Sequence, residues 1–342
     1  MGHATRCVPI INTFLEQSFT VYLAGETAVS TLLQKEYPQL IILPLRGYRV
    51  QYSKKQNFFA LSMLFQIPQI LHAIFNENRW LKKIIEQYKI DVVLSDNRYG
   101  LYHKAVPTIF LTHQLQIKTG TIFFDKVVQK INYYFIKKFT FCWVIDLMGE
   151  QNLAGQLSHP KKLPAIPVIY ISALSRFRTM HAQQIVDVLI VLSGPEPQRT
   201  IFEKIILTQV QHINKTIILV RGLPVEKATI PSPSNNVKII NHLTAAKLNE
   251  LVVAAKVIVS RSGYTSIMDY AALQKKVIYI PTPGQTEQIY LANYLSKKNY
   301  AQVATQAKFN LQGELQKLDI GTFLPYPAIY NEVLKKAITS LK

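Results

Sequence analysis

Short apolar segments of strand length alternate with longer helical patterns along most of the chain, and this alternation constrains the fold more than any other feature. The segments are rich in β-branched residues and almost continuously apolar, which is typical of parallel strands buried on both faces. The pattern predicts an α/β protein with doubly wound parallel sheets. The predicted strands are Phe19–Ala24, Leu40–Pro44, Asp91–Ser95, Thr108–Thr112, Cys142–Ile145, Asp187–Leu192, Lys215–Val220, Val237–Ile240, Val257–Ser260 and Lys276–Pro281.

The chain has 342 residues, about twice the length of a typical domain, so two domains are expected. Predicted strands fall in both halves, and the segment Ser158–Pro167 between them holds three prolines, which is typical of a linker. We interpret residues 1–165 and 166–342 as two Rossmann-like domains. Two sheets facing each other across a cleft would bring the loops at their strand ends together.

The charge balance points to an anionic partner. Lys and Arg number 39 against 20 Asp and Glu, a net charge of +19. Such an excess suits nucleic acid, anionic lipid or phosphorylated small molecules. Both halves of the chain carry the excess, whereas nucleic-acid binding favours a concentrated basic stripe, and we find no RNA-binding motif. We therefore expect no nucleic-acid partner.

Several classes of protein are excluded by the sequence. Hydrophobic residues make up 49% and charged residues 17%, which argues against disorder. The two cysteines, Cys7 and Cys142, cannot form a disulfide framework or a cysteine-rich metal site. The longest uncharged stretch, Gln56–Asn76, contains proline and several polar residues and is a poor membrane span. No secretion signal opens the chain, so we expect a cytoplasmic protein.

Ligands of doubly wound sheets bind beyond the carboxyl ends of the strands. One such segment is Ser193–Arg199, which leads into a predicted helix. A glycine-bearing loop before a helix offers backbone N–H groups and a positive dipole end to phosphate, although an ordinary strand–helix loop looks the same. The candidate residues here and after the two following strands are Ser193, Gly194, Gln198, Arg199, Arg221, His242 and Leu243.

The segment Val257–Gln288 carries the most specific pattern. A strand ends in Arg261-Ser262-Gly263, and the helix that follows contains Asp269, which alone is equally consistent with a solvated helix residue. The next strand ends at Pro281, and a second helix start follows it. The candidate ligand-binding residues of this segment are Arg261, Ser262, Gly263, Thr265, Asp269, Glu287 and Gln288.

As a set, these residues resemble the carboxyl-terminal donor domain of glycosyltransferase family 28, a family with the GT-B fold. Ser262-Gly263 and Asp269 match an S-G-x-x-[ST]-x-x-E motif, with Asp in place of Glu, and Pro281 and Gln288 match a P-x-x-x-x-x-x-Q spacing. The resemblance implies that Asp269 binds the ribose of UDP and that Gln288 binds the donor sugar. It also implies that backbone groups near His242 hold the uracil and that the Ser193–Arg199 loop holds the diphosphate.

The first half resembles the acceptor domain of the same family. Gly2-His3 is similar to the end of a G-x-G-H loop, and Thr112-His113-Gln114 lies where the family has a polar cluster. The resemblance implies His3 or His113 as the base that takes the acceptor proton. The candidate acceptor-binding residues are Asp96, Asn97, Arg98 and Gln114. A doubly wound domain should have a strand before Gly2, so we expect either a protein about ten residues longer or a short form with an incomplete first domain.

The resemblance implies an inverting, metal-independent glycosyltransferase that needs no cofactor. Its co-substrate would be a UDP-sugar, and it would transfer a hexose or N-acetylhexosamine to a lipid-linked or envelope-glycan acceptor in a bacterium. The sequence contains neither an H-E-x-x-H nor an Asp-x-Asp metal motif. Two alternatives remain at this point: a non-catalytic nucleotide-sugar-binding relic and a UDP-sugar 2-epimerase.

The segment Ile117–Trp143 alternates aromatic residues with lysines, a composition typical of helices that lie at a membrane surface. The alternative is a buried helix with solvated lysines. The first interpretation predicts peripheral contact with the anionic inner face of the cytoplasmic membrane.

Overall fold

The structure is a computed structural model that describes residues 2–48, 59–119, 121–181, 186–329 and 332–342, without the side chains of residues 2–4, 28, 59–67 and 122. Its helices are α1 (Gly2–Glu16), α2 (Thr27–Glu36), α3 (Phe59–Tyr88), α4 (Ile122–Ile136), α5 (Gln198–Val210), α6 (Ala245–Ala254), α7 (Tyr264–Ala272), α8 (Thr286–Lys297), α9 (Leu311–Ile320) and α10 (Glu332–Thr339). Its strands are β1 (Tyr22–Gly25), β2 (Ile41–Pro44), β3 (Val93–Asp96), β4 (Thr108–Thr112), β5 (Phe141–Val144), β6 (Val168–Tyr170), β7 (Val186–Val191), β8 (Ile217–Val220), β9 (Val237–Ile240), β10 (Ala255–Ser260), β11 (Lys276–Tyr279) and β12 (Gln302–Val303).

The predicted strands are confirmed, with ends that move by a few residues, and all described strand pairs are parallel. The α/β fold class is therefore confirmed as well. Two short strands, β6 and β12, were not predicted. Within the described residues, no helix is both long enough and apolar enough to cross a bilayer, α3 included.

The chain divides into two compact units, Met1–Leu174 with Tyr330–Lys342, and Ser175–Ile329. The sequence placed the division at 165/166 and assigned the last residues to the second domain. The division comes later because β6 pairs with β5 in the sheet of the first unit. The proline-rich segment is also fixed there, since the Ser158 hydroxyl donates to the buried carboxylate of Asp146 at 2.5 Å.

Helix α10 belongs to the first unit because it packs against α1. The side-chain amide of Gln17, just after α1, donates to the Lys335 carbonyl at 2.9 Å and accepts from Thr339 Oγ1 at 3.1 Å. The Lys342 ammonium lies over the Phe19 ring, 5.5 Å from its centroid.

The strands of the first unit form two sheets, β1–β2 and β3-β4-β5-β6. Strands β4 and β5 are almost completely buried, as their continuous apolar sequences predict. The carboxyl ends of β3 and β4 lie side by side, which brings the residues after each strand to one edge of the sheet. No described strand joins the two sheets, and the strand expected before Gly2 stays a prediction.

The second unit contains one six-stranded parallel sheet in the order β12-β11-β10-β7-β8-β9. Its first strand, β7, is central; the chain continues to one side through β8 and β9, then returns to the other side of β7 at β10. A large apolar cluster packs α5 and α9 against this sheet. Strands β7 and β10 form the topological switch point of the sheet, where the loops beyond two neighbouring strands diverge and leave a crevice for a ligand.

Candidate functional site

The switch point of the second unit is framed by two glycine-bearing loops that each lead into a helix. The loop after β7 contains Gly194 with a φ of +106°, a conformation that favours glycine strongly. The loop after β10 ends in Gly263, which is the N-cap residue of α7. The first N–H groups of a helix have no partner within the helix, so both loops present donors to an anion.

The space in front of α7 is open. No heavy atom of the described residues, apart from the glycine and its chain neighbours, lies within 4 Å of the point where a Cβ of residue 263 would stand. The backbone at Gly263 has φ −72° and ψ 138°, which any residue can adopt. Neither the backbone conformation nor the packing of the described residues therefore requires a glycine at this position.

Thr282, after β11, is a site residue that the sequence analysis missed. Its hydroxyl is buried and finds no hydrogen-bond partner among the described residues. It stands 3.5 Å from the position that a Cβ on Gly194 would occupy. A buried hydroxyl without a partner next to a glycine turn is suited to an anionic ligand oxygen. The sequence signal that could have identified Thr282 is its position directly after the predicted strand Lys276–Pro281.

Gln288 holds the loop after β11 onto the first turn of α8. Its side-chain oxygen accepts from the Thr282 N–H at 2.9 Å, and its side-chain nitrogen donates to Gln285. The buried Ser262 hydroxyl donates to the Gln288 carbonyl at 2.8 Å. Gln288 and Ser262 thus connect the loops after β10 and β11, and the predicted sugar contact of Gln288 stays a prediction.

Arg199 and Arg221 are turned into the protein and share one buried carboxylate. Arg199 Nη1 donates to Glu203 at 2.7 Å, and Arg221 Nε donates to the other oxygen of Glu203. Arg199 Nε also donates to Glu196 at 2.6 Å, and Arg221 Nη1 donates to Asn241 at 2.8 Å. Burial lowers the pKa of Arg199, but its bonds to Glu196 and Glu203 outweigh this and raise the pKa overall. These contacts support the loop after β7, and the predicted role of both arginines as donor ligands stays a prediction.

Arg261 is also a structural residue in this arrangement. Its guanidinium is fully buried, lies 4.5 Å from the centroid of the Phe202 ring and donates to the carbonyls of Ile280 and Gln198, both at 3.1 Å. It donates to Gln306 Oε1 at 2.6 Å. Burial lowers the pKa of Arg261 to about 10. Its contacts fix the ends of β10 and β11 and the start of α5 relative to one another.

Asp269 is buried beneath the segment where the second unit begins. The Ser175 hydroxyl donates to Asp269 Oδ1 at 2.8 Å, and Arg176 Nε lies 3.4 Å from Oδ2. Burial raises the pKa of Asp269, although the Arg176 charge and the Ser175 hydrogen bond oppose the shift. A ribose would reach this carboxylate only after Ser175 and Arg176 move, so the predicted ribose contact stays a prediction.

The remaining predicted donor-site residues lie at strand ends or in first helical turns. Gln198 begins α5 and accepts from Gln306 Nε2 at 3.0 Å through its own side-chain oxygen. The others are Ser193 before the Gly194 turn, His242 and Leu243 between β9 and α6, Thr265 in the first turn of α7 and Glu287 in the first turn of α8.

In the first unit, the structure brings Asp96 and His113 together through an arginine that the sequence analysis missed. Arg6 of α1 is buried and donates to both oxygens of Asp96, with Nε 3.1 Å from Oδ2. Its Nη1 lies 3.0 Å from Nδ1 of His113. Asp96 ends β3 and His113 directly follows β4, so the cluster forms at the carboxyl edge of this sheet. The side chain of His3 lies outside the described residues.

The other predicted acceptor-site residues shape the same edge. Asn97 has a φ of +53°, which turns the chain sharply after β3. Arg98 Nε donates to the buried carboxylate of Glu77 at 2.7 Å, and the Gly100 N–H donates to the same group at 3.1 Å. Arg98 therefore helps to hold the loop in place, and its predicted role as an acceptor ligand stays a prediction. The Gln114 N–H donates to Thr112 Oγ1 at 2.9 Å, and its side chain stays an acceptor-site candidate.

Comparison with known proteins places the switch-point residues within a known domain family. Residues 188–320 match the model described as glycosyltransferase family 28 C-terminal domain. A curated relative from Amoebophilus asiaticus (strain 5a2) is 24% identical over 302 residues, covering 82% of this chain and 75% of the relative. Its name is UDP-N-acetylglucosamine--N-acetylmuramyl-(pentapeptide) pyrophosphoryl-undecaprenol N-acetylglucosamine transferase.

Solved structures show the same fold over nearly the whole chain. The glycosyltransferase of kitacinnamycin has a TM-score of 0.66 at 12% identity, covering 99% of this chain and 91% of its own. MurG of Acinetobacter baumannii has a TM-score of 0.57 at 14% identity, with the same coverage. A putative UDP-N-acetylglucosamine 2-epimerase from Listeria monocytogenes has a TM-score of 0.58 at 10% identity, covering 99% and 92%. The fold is GT-B, and the fold alone does not separate transferases from epimerases.

Proposed function

Because residues 188–320 form a glycosyltransferase family 28 C-terminal domain, we propose that this glycosyltransferase moves a hexose or N-acetylhexosamine from a UDP-sugar to a hydroxyl of a lipid-linked envelope-glycan acceptor. The observation that carries the proposal is the pair of glycine loops, Gly194 and Gly263, at the switch point of the second unit. The named activity of the Amoebophilus relative supports the choice of donor and acceptor.

The diphosphate of the donor is proposed to bind at the start of α7, against the open face of Gly263, with the Thr282 hydroxyl beside it. Backbone N–H groups and the α7 dipole would stabilise the negative charge that develops on the leaving UDP. Arg199, Arg221 and Arg261 act behind this surface by fixing the loops, as their buried contacts indicate. This arrangement supports a transfer that needs neither a metal nor a cofactor.

The chemistry proposed is a single displacement with inversion. The acceptor oxygen forms a bond to the anomeric carbon as the bond from that carbon to the UDP oxygen breaks, and UDP leaves with the electron pair. A base takes the proton of the acceptor hydroxyl, which is a role suited to a neutral histidine near pH 7. His3 is the candidate that the sequence analysis gives for this role.

The donor assignment is tested by thermal unfolding of the purified chain with UDP, GDP, ADP, dTDP and their sugar conjugates. A ligand at 100 times its dissociation constant stabilises the folded state by about 2.7 kcal/mol. We expect UDP and UDP-sugars to raise the midpoint by several degrees and the other nucleotides to leave it unchanged. Cooperative unfolding with no shift from any uridine nucleotide would contradict the proposal, and binding without sugar transfer would favour the relic.

The exposed apolar side of helix α4 supports our proposal that the protein contacts a membrane surface. Its exposed side carries apolar residues at helical spacing, and the side chain of Phe123 is 72% exposed and that of Tyr134 52%. The ammonium of Lys138 lies 4.8 Å from the centroid of the Tyr134 ring. Exposed aromatics beside lysines match the apolar boundary and negative charge of an anionic leaflet. The exposed apolar residues of α4 are Phe123, Phe124, Val127, Ile131 and Tyr134.

We expect Phe123→Ser to weaken binding to vesicles of phosphatidylglycerol and phosphatidylcholine by about tenfold or more, because burial of a phenylalanine contributes about 1.5–3 kcal/mol. Sedimentation of the full chain with vesicles measures the effect. Val225→Ser is the control, since Val225 is 90% exposed on the second unit and should not change binding. Equal vesicle binding by the two variants would reject α4 as the membrane contact. Vesicle binding that does not depend on the fraction of anionic lipid would reject it as well.

A further inference from the structure

The loop after β7 carries a negative charge of its own, on Glu196. This residue follows Gly194 by two positions, and its side chain is 55% exposed. One carboxylate oxygen accepts from Arg199 Nε at 2.6 Å, and the other accepts from the Thr200 N–H at 3.2 Å. Thr200 is in the first turn of α5. The carboxylate therefore lies at the amino end of α5, where a loop of this kind usually holds a phosphate.

Glu196 is ionised and cancels the positive charge of the arginines behind it. Partial burial raises the pKa of Glu196, but the hydrogen bonds from Arg199 and Thr200 outweigh that effect and lower the pKa overall. Arg199 and Arg221 share the buried carboxylate of Glu203, so these three side chains alone would carry one net positive charge. With Glu196 the group of four is neutral, and its exposed member is an anion.

Glu196 is also close to the position proposed for the diphosphate. The buried hydroxyl of Thr282, which has no partner among the described residues, lies 3.5 Å from the point where a Cβ of Gly194 would stand. Glu196 is two residues from Gly194, so their Cα atoms are at most about 7 Å apart. A phosphate beside Thr282 and the Glu196 carboxylate are thus separated by a distance comparable with the screening length, about 10 Å in 0.1 M salt.

We infer that Glu196 is a specificity-determining residue of the donor site, which disfavours nucleotides with additional negative charge and so favours a UDP-sugar over free UDP. The identity of the ligand rests on the proposed function. The β-phosphate of a UDP-sugar is a diester with a single negative charge, whereas the terminal phosphate of free UDP carries close to two near pH 7. The carboxylate therefore repels the product more than the substrate, which promotes release of UDP after transfer.

Calorimetric titration of the full chain with UDP and with UDP-N-acetylglucosamine tests the inference. Glu196→Gln keeps the side-chain volume and removes the charge. We expect it to raise the affinity for UDP about fivefold more than the affinity for UDP-N-acetylglucosamine, which is the effect of one unit charge at this distance. Raising the salt concentration should reduce the difference. Glu196→Asp keeps the charge and should keep the wild-type preference.

Glu250→Gln is the control, because it removes an exposed carboxylate of the same unit from α6, which follows β9. It should leave both affinities at their wild-type values. Equal gains for the two ligands in a folded Glu196→Gln variant, or no gain for UDP, would overturn the inference. A loss confined to the UDP-sugar would also overturn it, because that result would make Glu196 a ligand of the sugar.

Inorganic pyrophosphate separates this inference from the proposed function. Failure of both uridine ligands to bind the wild type would count against the proposed function. Pyrophosphate needs no nucleoside site, and its higher charge should make Glu196→Gln bind it about tenfold more tightly than the wild type does. Equal affinity in the two proteins, or no binding by the variant, would overturn the inference independently of the nucleotide.

Kinetics give a further readout once sugar transfer is measured. UDP should inhibit Glu196→Gln at a concentration about fivefold lower than it inhibits the wild type. The value of kcat/KM for the UDP-sugar should change by a smaller factor, because the substrate carries less charge at the β-phosphate. A residue that only supports the fold of the loop would change both quantities together. An unchanged inhibition constant for UDP would overturn the inference.

Discussion

Replacement of Glu203 by alanine is expected to destabilise the second unit by about 3–5 kcal/mol, because it leaves buried charges without their partner. Glu203 accepts from both Arg199 and Arg221, and all three side chains are nearly inaccessible to solvent. Chemical denaturation of the full chain, followed by far-ultraviolet circular dichroism, measures the change, because both tryptophans, Trp80 and Trp143, lie in the first unit. Glu203→Gln keeps the side-chain volume and one hydrogen-bond acceptor, so it should lower the free energy of unfolding less than Glu203→Ala does.

The control for this prediction is an ion pair of the same unit that is exposed to solvent. Lys256 Nζ lies 2.7 Å from Asp187, and the Lys256 side chain is 62% exposed. Asp187→Asn should lower the free energy of unfolding by no more than about 1 kcal/mol, as is usual for the loss of a surface ion pair. If Glu203→Ala lowers the free energy of unfolding as little as Asp187→Asn does, Arg199 and Arg221 are solvated in solution and can bind a ligand. That result would contradict the buried pairs of the structure.

Gly263→Val is expected to weaken UDP binding by about a hundredfold or more while the unfolding midpoint hardly changes. The Cβ of a valine would enter the open space before α7, where no described heavy atom apart from its chain neighbours lies within 4 Å, and the side chain would exclude the phosphate from that space. Loss of two hydrogen bonds to a charged oxygen, at about 1.5–3 kcal/mol each, accounts for this factor. Titration calorimetry with UDP gives the affinity, and thermal unfolding without ligand gives the stability.

Gly313→Ala serves as the control because Gly313 lies in the first turn of α9, where an added Cβ would be 3.5 Å from its nearest neighbour, Asn310 Oδ1. It should change neither UDP affinity nor stability by much. Wild-type UDP affinity in a folded Gly263→Val variant would place the diphosphate away from α7.

The strands were predictable because each buried strand is an unbroken apolar run, as in Thr108–Thr112, where all residues are buried. Strands β6 and β12 span only three and two residues, too few for such a run to be distinguished from a loop. The predicted division between the domains differs from the boundary of the compact units for the same reason. Without β6, the proline-rich segment before it looked like the end of a domain.

The position of the candidate site followed from topology, but the roles of its charged residues did not. A loop arginine can face a ligand or a buried carboxylate, and the sequence does not show which. The spacing of Arg199 and Glu203, four residues apart on a helix, was a usable sign of pairing. Arg6 and Glu77 gave no such sign, because their partners Asp96 and Arg98 are distant in the chain and meet them only in the folded sheet.

The packing of α10 on α1 changes the order in which the two units can be completed during synthesis. The second unit is one continuous stretch, Ser175–Ile329, and can fold as soon as that stretch has left the ribosome. The first unit begins earlier but ends later, since it lacks α10 until residues 332–339 have been made. A stop codon shortly before α10 would therefore damage the unit encoded by the start of the gene and spare the one encoded just upstream of the stop.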